Sequence, residues 1–289
     1  MKLKGLPHNG CGRLLKKETD MRILLAGDIH GNPHQIQYLF DVALNNNCDR
    51  IFALGDFGFW EHMYGGPEFL QITSEFATLN DIPFYWLDGN HECYSWLQMT
   101  AEEIRQRLYE GKSAPLSCYQ NNVVDDGMWE IRPNLYYSPR GNRFSWDGVD
   151  FMTMGGAFSI DRNQRRVGTS FWFEEELQPE DINKAIVDTT PINILLSHDL
   201  PDGVDLGRVI AQRGINYRVI REAEAGRKQL RRLVDALRPA HVFHGHYHVR
   251  YNEYTNFGYG PVRVTGLDCD GSGSDSWTII ETQDFRRKQ

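Results

Sequence analysis

Short apolar runs alternate with amphipathic segments along most of the chain. Five apolar runs bounded by turn residues are predicted to be buried strands, at 22–27, 50–55, 82–89, 191–199 and 240–245. Five segments between them are predicted to be helices, at 33–47, 67–80, 94–108, 179–189 and 227–237. In the first helix, Ile36, Phe40 and Ala43 fall on one face. This alternation predicts βαβ units and a largely parallel sheet.

The segment 128–156 interrupts this alternation. It consists of short runs rich in Tyr, Phe, Trp and Val, which are separated by the turn sequences Pro-Asn, Arg-Gly-Asn and Asp-Gly. We interpret it as a meander or a set of hairpins in a second sheet. No internal repeat or domain boundary is visible, so residues 21–289 are predicted to form a single domain. A basic, flexible extension is predicted for residues 1–20.

Composition narrows the class of protein. The 289 residues are 40% apolar and 24% charged, as in soluble globular proteins, and no run approaches the ~18 apolar residues of a membrane span. The basic N-terminus has no apolar core of a secretory signal. Five cysteines without a Cys-x-x-Cys pair argue against a disulfide framework and favour a reducing cytoplasm. The net charge of -8 argues against nucleic-acid binding as the main function, because nucleic-acid-binding proteins are usually basic.

Side chains that can bind metals follow all five predicted strands. They are Asp28 and His30, Asp56, Asn90 and His91, His198 and Asp199, and His246 and His248. In open α/β sheets, ligands bind beyond the carboxyl ends of the strands, so these five ends are expected to converge on one crevice. Carboxylate, imidazole and amide groups suit divalent ions. Without His91 and Asp199, seven candidate ligands are left. They are too many for one ion, but they suit two ions about 3.5–4 Å apart.

Five motifs follow one another along the chain: GDIHGN, GDFGFW, GNHE, SHD and GHYH. In type and order they resemble the motifs of the calcineurin-like metallophosphoesterase superfamily, and the resemblance covers nearly the whole predicted domain. The resemblance implies an α/β fold of four αββα layers, in which helices flank two mixed sheets and the metal site lies at the C-terminal strand ends. It assigns one metal to Asp28, His30, Asp56 and His248, and the other to Asp56, Asn90, His198 and His246. Asp56 bridges the two ions, and His91 faces the substrate phosphate and the leaving group.

Two such cations would lower the pKa of a bridging water and supply hydroxide near neutral pH. They would also neutralise the charge that builds on the phosphoryl oxygens. The hydroxide attacks in line with the leaving oxygen, and His91 is predicted to be the general acid because imidazole titrates in the right range. Glu92 and Asp199 are predicted to orient ligands. Family resemblance favours Mn²⁺, while Fe, Zn, Ni or Co also suit these donors.

Asn32 and Arg162 are the candidate substrate contacts. Arg162 lies with two other arginines in the segment 158–176, and guanidinium groups match phosphate bidentately. The alternative for this segment is a solvated loop in which arginines pair with glutamates. Trp172 and Phe173, in the same segment, either form a wall for a base or pack in the core, and packing is the default expectation.

The second aspartate motif lacks the VDRG-like stretch of the superfamily's Ser/Thr phosphatases, and Asp88 stands where they carry arginine before GNHE. Protein phosphatase activity is therefore not expected. We predict a metal-dependent phosphodiesterase or phosphomonoesterase that acts on a small substrate, with nucleotides among the candidates. The alternatives are a DNA or RNA nuclease of the same superfamily and a catalytically silent binding scaffold. The sequence leaves the substrate and the oligomeric state open.

Overall fold

The computed structural model describes residues 20–124, 126–205, 207 and 217–286 of the chain. Twelve strands lie in these residues: β1 (Arg22–Ala26), β2 (Arg50–Ala53), β3 (Phe84–Trp86), β4 (Trp129–Arg132), β5 (Leu135–Tyr137), β6 (Arg143–Trp146), β7 (Val149–Met154), β8 (Ile194–Ser197), β9 (His241–His244), β10 (Tyr251–Asn256), β11 (Pro261–Gly266) and β12 (Trp277–Glu281). The α-helices with bounds in the described residues are α1 (Pro33–Asn45), α2 (Gly66–Asn80), α3 (Tyr94–Leu97), α4 (Ala101–Tyr109), α5 (Pro179–Ala185) and α6 (Tyr217–Leu237). The predicted alternation of strand and helix is confirmed.

The strands form two mixed sheets of six strands each. The first has the order β12-β1-β2-β3-β5-β4, and the second has the order β10-β11-β9-β8-β7-β6. In each sheet the four inner strands run parallel, while the two edge strands are antiparallel to their neighbours. The parallel inner strands follow from the βαβ connections that the sequence predicts.

The apolar strands are covered on both faces. In β1, Ile23 and Leu25 enter a core between the two sheets, whereas Leu24 and Ala26 enter a core on the helix side. A third core joins the second sheet to α5 and α6, for example through Leu230. Strands buried on both faces have no polar face, which is why these runs are continuously apolar. The layers are therefore αββα, as expected.

The segment 128–156 is divided between the sheets, so its assignment to the second sheet is wrong for its first half. β4 and β5 extend the first sheet, because β5 pairs in parallel with β3. β6 and β7 form a hairpin at the edge of the second sheet. Its turn residues Asp147 and Gly148 have φ of 50° and 74°, as a two-residue type I′ turn requires. Turn signals located the hairpin correctly but could not tell which sheet it joins.

The predicted helix 94–108 is interrupted, and the break has a local cause. Thr100 caps α4: its hydroxyl accepts a hydrogen bond from the Glu103 backbone N–H at 3.3 Å, while the Glu103 carboxylate accepts one from the Thr100 N–H at 2.8 Å. This reciprocal pair is a capping box, which starts a new helix at Ala101. In the described residues the helix α6 spans Tyr217–Leu237, so it includes residues before the predicted start at 227.

The proposed N-terminal extension, residues 1–20, lies outside the described residues except for Asp20. The division of the chain at residue 21 therefore stays a prediction. Among the helices of the described residues, none combines the length and the apolar character that a membrane crossing requires. The cysteines at 48, 93, 118 and 269 are free thiols.

Candidate metal centre

The loops after β1 and β9 bring a first group of ligands together. His248 Nε2 lies 2.8 Å from Asp28 Oδ2, and His30 Nε2 lies 4.0 Å from the same oxygen. The potential ligand atoms of Asp28, His30 and His248 are all within 4.8 Å of one another. Asp28 is fully buried, while the two imidazoles are partly exposed. Three such donors around one point fit a divalent ion.

The loops after β2, β3 and β8 supply a second group. His198 Nε2 lies 3.3 Å from Asp56 Oδ1 and 3.0 Å from Asn90 Oδ1. The ring of His246 lies 5.0 Å from that of His198, centroid to centroid. The other oxygen of the same carboxylate, Asp56 Oδ2, lies 3.6 Å from His30 Nε2. The seven predicted ligands are therefore in one place, and Asp56 lies between the two groups as a bridging ligand would.

The backbone is unusual at four of these residues. His30, Asp56, His246 and His248 have φ of 51°, 43°, 70° and 51°, and they are four of nine non-glycine residues with positive φ in the described chain. This left-handed conformation costs roughly 1–2 kcal/mol for residues with a Cβ. Such conformations persist where the surroundings enforce them, and they cluster at functional sites. The four positive φ values at these residues therefore indicate a functional site at the same place, without reference to the metal-binding chemistry of the side chains.

Two motif glycines leave room for the carboxylates. A Cβ on Gly89 would lie 2.1 Å from Asp56 Oδ1, and one on Gly245 would lie 2.2 Å from Asp28 Oδ1. Both distances are far shorter than a van der Waals contact. Glycine is therefore required at these positions because the backbone of one motif passes directly beside the ligand of another.

Neighbouring groups fix the orientation of three ligands. His198 Nδ1 donates to the Leu54 carbonyl at 2.8 Å, which leaves Nε2 for an ion. His30 Nδ1 lies 2.9 Å from Asp270 Oδ1. Asn90 Nδ2 donates to Ser159 Oγ at 3.1 Å, so its Oδ1 is turned toward His198. Asp270 and Ser159 were not identified from the sequence, since both lie far along the chain from the ligands that they contact.

Glu92 and Asp199 contact backbone and hydroxyl donors. The Glu92 carboxylate accepts from the N–H of Gly89 at 2.6 Å and from the N–H groups of Phe57 and Gly58, in the loops that carry Asn90 and Asp56. Burial, with Asp56 nearby, raises its pKa to about 8. Asp199 accepts from the Tyr247 hydroxyl at 2.8 Å. Both carboxylates hold loops that carry ligands.

The buried carboxylates of Asp28 and Asp56 favour positive charge at the centre, either on the histidines or on bound cations. Burial opposes protonation of the imidazoles, and at His246 it prevails and lowers the pKa to about 3. At the other three ligand histidines the neighbouring carboxylates outweigh burial. Asp56 and Asp28 raise the pKa of His30 to about 9 and that of His198 to about 10, and Asp28 raises the pKa of His248 to about 10. Burial likewise opposes ionisation of Asp56, yet His198 holds its pKa well below the usual range. Protons or divalent cations supply this charge, so metal binding is expected to release protons.

His91 lies beside the ligand set and is partly exposed. Its backbone N–H donates to Asp56 Oδ1 at 2.9 Å, and its ring lies 6.3 Å from the ring of His30. Its carbonyl accepts a hydrogen bond from Trp60 Nε1. His91 is thus held by its backbone while its imidazole is not a member of either metal group.

The two candidate substrate contacts have protein partners. Asn32 caps α1, with Oδ1 accepting from the His34 N–H at 3.0 Å, and its Nδ2 donates to Asp270 Oδ2 at 2.8 Å. Arg162 pairs with Glu176 at 2.6 Å, which matches the loop-pairing alternative. Arg165 instead reaches the centre, where its Nη1 donates to the Asn90 carbonyl at 3.2 Å. Contact of Asn32 or Arg162 with substrate stays a prediction.

Asp88, which precedes the GNHE motif, is fully buried in an ion pair. Its Oδ2 accepts from Arg140 Nη2 at 2.7 Å, and its Oδ1 accepts from the Tyr137 hydroxyl at 2.9 Å. Arg140 also contacts Asp181 at 3.0 Å. Asp88 therefore joins the end of β3 to the loop between β5 and β6 and to α5.

This fold and these donors define a metallophosphoesterase. The family model for calcineurin-like phosphoesterases matches residues 21–250, and the chain belongs to that family. It is therefore a hydrolase of phosphoric esters.

Solved structures match this chain at low identity, and the one with the TM-score above 0.5 supports the fold. One, at 12% identity and a TM-score of 0.52, covers 93% of this chain and 98% of that chain. TT1561 of Thermus thermophilus is 14% identical, with a TM-score of 0.49 over 91% of this chain and 99% of that chain. A dimetal phosphatase from Danio rerio is 11% identical, with a TM-score of 0.45 over 91% of this chain and 93% of that chain. Among curated proteins, none matches this chain.

Proposed function

We propose that the protein hydrolyses a small phosphomonoester or phosphodiester with two divalent ions bound at this centre. The observation that carries the proposal is the position of Asp56, whose Oδ2 faces His30 while its Oδ1 faces His198. One carboxylate that presents separate oxygens to two groups of donors is the arrangement of a two-metal site. Oxygen and imidazole donors suit Mn²⁺, and Fe, Zn, Ni or Co are further candidates.

The residues present fit this use. One ion would be held by Asp28, His30, Asp56 and His248, and the other by Asp56, Asn90, His198 and His246. When bound, such ions activate water and stabilise the charge that develops on the phosphoryl oxygens. The protein fixes the donors through Leu54, Asp270 and Ser159, which orient ligands before any ion binds.

His91 is proposed to donate a proton to the leaving oxygen. Its backbone is anchored to the bridging carboxylate, while its partly exposed ring is outside both metal groups. An imidazole in this position can protonate an alkoxide as the bond to phosphorus breaks. Esters whose leaving group is already a stable anion need this proton far less.

The test compares His91→Ala with the wild type on p-nitrophenyl esters and on alkyl phosphoesters with Mn²⁺ present. We expect kcat/KM for the alkyl esters to fall about 10²–10⁴-fold, with a much smaller loss for p-nitrophenyl esters. Metal content per chain should stay that of the wild type. His34→Ala, which changes an exposed histidine on α1, is the matched control.

Equal losses on both kinds of ester would exclude His91 as the general acid. A protein that binds two ions but turns over no phosphoester would contradict the hydrolase proposal and favour the binding scaffold. Turnover confined to DNA or RNA would favour the nuclease alternative.

A further inference from the structure

A cavity of about 220 Å³ opens beside His91, outside the metal ligands. Its walls include Trp60, His62, Asp161, Arg165 and Trp172. Sites for drug-sized ligands usually measure about 300–1,000 Å³, so this cavity is suited to a single ring system. Because His91 lies in its wall, a group in the cavity would be the one that leaves phosphorus.

The walls are aromatic. The rings of Trp172 and His62 meet edge to face at 5.2 Å, and His62 also lies 5.5 Å from the ring of Trp96. Burial lowers the pKa of His62, which favours the neutral form of this imidazole. Trp60 is fixed by its hydrogen bond to the His91 carbonyl. Such rigid aromatic faces bind flat rings, and stacking with nucleobases is a common form of this contact.

The cavity also has a polar wall of fixed geometry. Arg165 donates to Glu175 Oε1 at 2.7 Å and to the Ser170 carbonyl at 2.5 Å, so its guanidinium is immobilised. The Asp161 side chain is 38% exposed, and its Oδ1 forms an ion pair with Arg165 Nη1 at 3.5 Å. The Oδ1 atom itself is buried and accepts no hydrogen bond. A buried acceptor without a donor is unfavourable unless a ligand supplies one. An N–H group on a heterocycle would satisfy it, as amino groups of bases do with acidic side chains.

From these contacts we propose that the cavity binds the base of a nucleoside leaving group, so that the substrate is a nucleoside phosphoester. This inference rests on the proposed function. In the reaction, oxygen from water joins phosphorus and the bond between phosphorus and the nucleoside oxygen breaks. His91 gives its proton to that departing oxygen, and the proton lost by the water passes to solvent. The base stacks on Trp172 and donates an N–H to Asp161.

The kinetic test compares adenosine and guanosine 5′-monophosphates and their 3′,5′-cyclic diesters with ribose 5-phosphate, which has no base. The wild type should prefer the nucleoside esters. In Trp172→Leu and in Asp161→Ala, the ratio of kcat/KM for nucleoside ester to that for ribose 5-phosphate should fall about tenfold. Phe173→Leu, a change at the adjacent and 66% exposed aromatic residue, should leave this ratio at the wild-type value.

Trp172 is largely buried, so Trp172→Leu could fail to fold, and in that case Asp161→Ala still provides the test. An unchanged ratio in the folded variants would overturn the inference, and so would a wild type without preference for the base.

Calorimetric titration of the metal-loaded protein with adenosine and guanosine separates the inference from the proposed function, because binding needs no turnover. Binding that Trp172→Leu weakens supports the cavity even if no ester is hydrolysed. A protein that hydrolyses ribose 5-phosphate but binds neither nucleoside overturns the inference and leaves the hydrolase proposal standing.

Discussion

Gly89, in the GNHE motif, packs directly against Asp56 of the GDFGFW motif. Replacing it with alanine would place a Cβ 2.1 Å from Asp56 Oδ1 and 2.3 Å from the Asp56 backbone nitrogen. Because Asp56 would have to move, we expect Gly89→Ala to lose at least about tenfold in metal affinity, as disturbed ligand support does in other metal sites. Metal titration of the purified variant measures this loss.

The control for that change is Gly226→Ala on α6, where a Cβ meets nothing within 4 Å. Alanine in a helix interior is favoured over glycine by roughly 0.5–1 kcal/mol, so this variant should be slightly more stable and bind metal normally. Normal metal affinity in Gly89→Ala would show that the loop after β3 adjusts freely, contrary to the close packing of the two motifs.

Ser159 provides a second prediction at the scale of single residues. Its hydroxyl accepts from Asn90 Nδ2 at 3.1 Å and from Arg165 Nη1 at 2.9 Å, and it donates to Glu175 Oε2 at 2.9 Å. Ser159→Ala should release the Asn90 amide and reduce the affinity for the second ion about 10–100-fold. The affinity for the other ion, whose proposed ligands are Asp28, His30, Asp56 and His248, should be much less affected.

Stepwise metal titration distinguishes the two ions, and Ser145→Ala, at an exposed position of β6, is the matched control. If both ions weakened equally, the role of Ser159 would be general packing rather than orientation of Asn90.

At the scale of elements, α4 depends on a single capping residue. Thr100→Ala removes the hydroxyl that accepts from the Glu103 N–H, and loss of such a cap costs about 1 kcal/mol. We expect the free energy of unfolding in urea to fall by about this amount, while metal binding and kcat stay unchanged. Thr189→Ala, at an exposed loop threonine, should leave stability at the wild-type value. No loss in Thr100→Ala would mean that packing of Ile104 alone starts the helix.

At the scale of the whole molecule, His241 makes stability depend on pH. It begins β9, its ring contacts Phe285 at 4.6 Å, and burial together with Arg263 lowers its pKa to about 4 from an ordinary value of 6.5. Between pH 6.5 and 4 the unfolded chain binds this proton while the folded protein does not. The free energy of unfolding therefore falls as the pH is lowered through this window.

His241→Phe removes this contribution. The wild type should lose stability relative to His241→Phe as the pH falls from 6.5 toward 4, and the two curves should run parallel above this window. Urea unfolding across this pH range provides the measurement. Curves that stay parallel throughout would show that His241 titrates in the folded protein as it does in the unfolded chain.

The sequence by itself determined the alternation of strand and helix, because continuous apolar runs and helical periodicity are local patterns. It also determined which residues meet at the centre. Asp28, Asp56, Asn90, His198 and His246 each follow a strand, and parallel strands bring their carboxyl ends to one edge. The helix break at Thr100 had a local signal too, since Thr100 and Glu103 have the spacing of a capping box.

Tertiary structure alone decided which sheet β4 and β5 join, because periodicity records that a face is buried without identifying what covers it. It also decided the supporting contacts. Asp270 meets His30 from a position 240 residues away, and Ser159 meets Asn90 from 69 residues away. The cavity beside His91 likewise combines walls from separate loops. Such contacts depend on how loops pack across space, and no spacing along the chain encodes them.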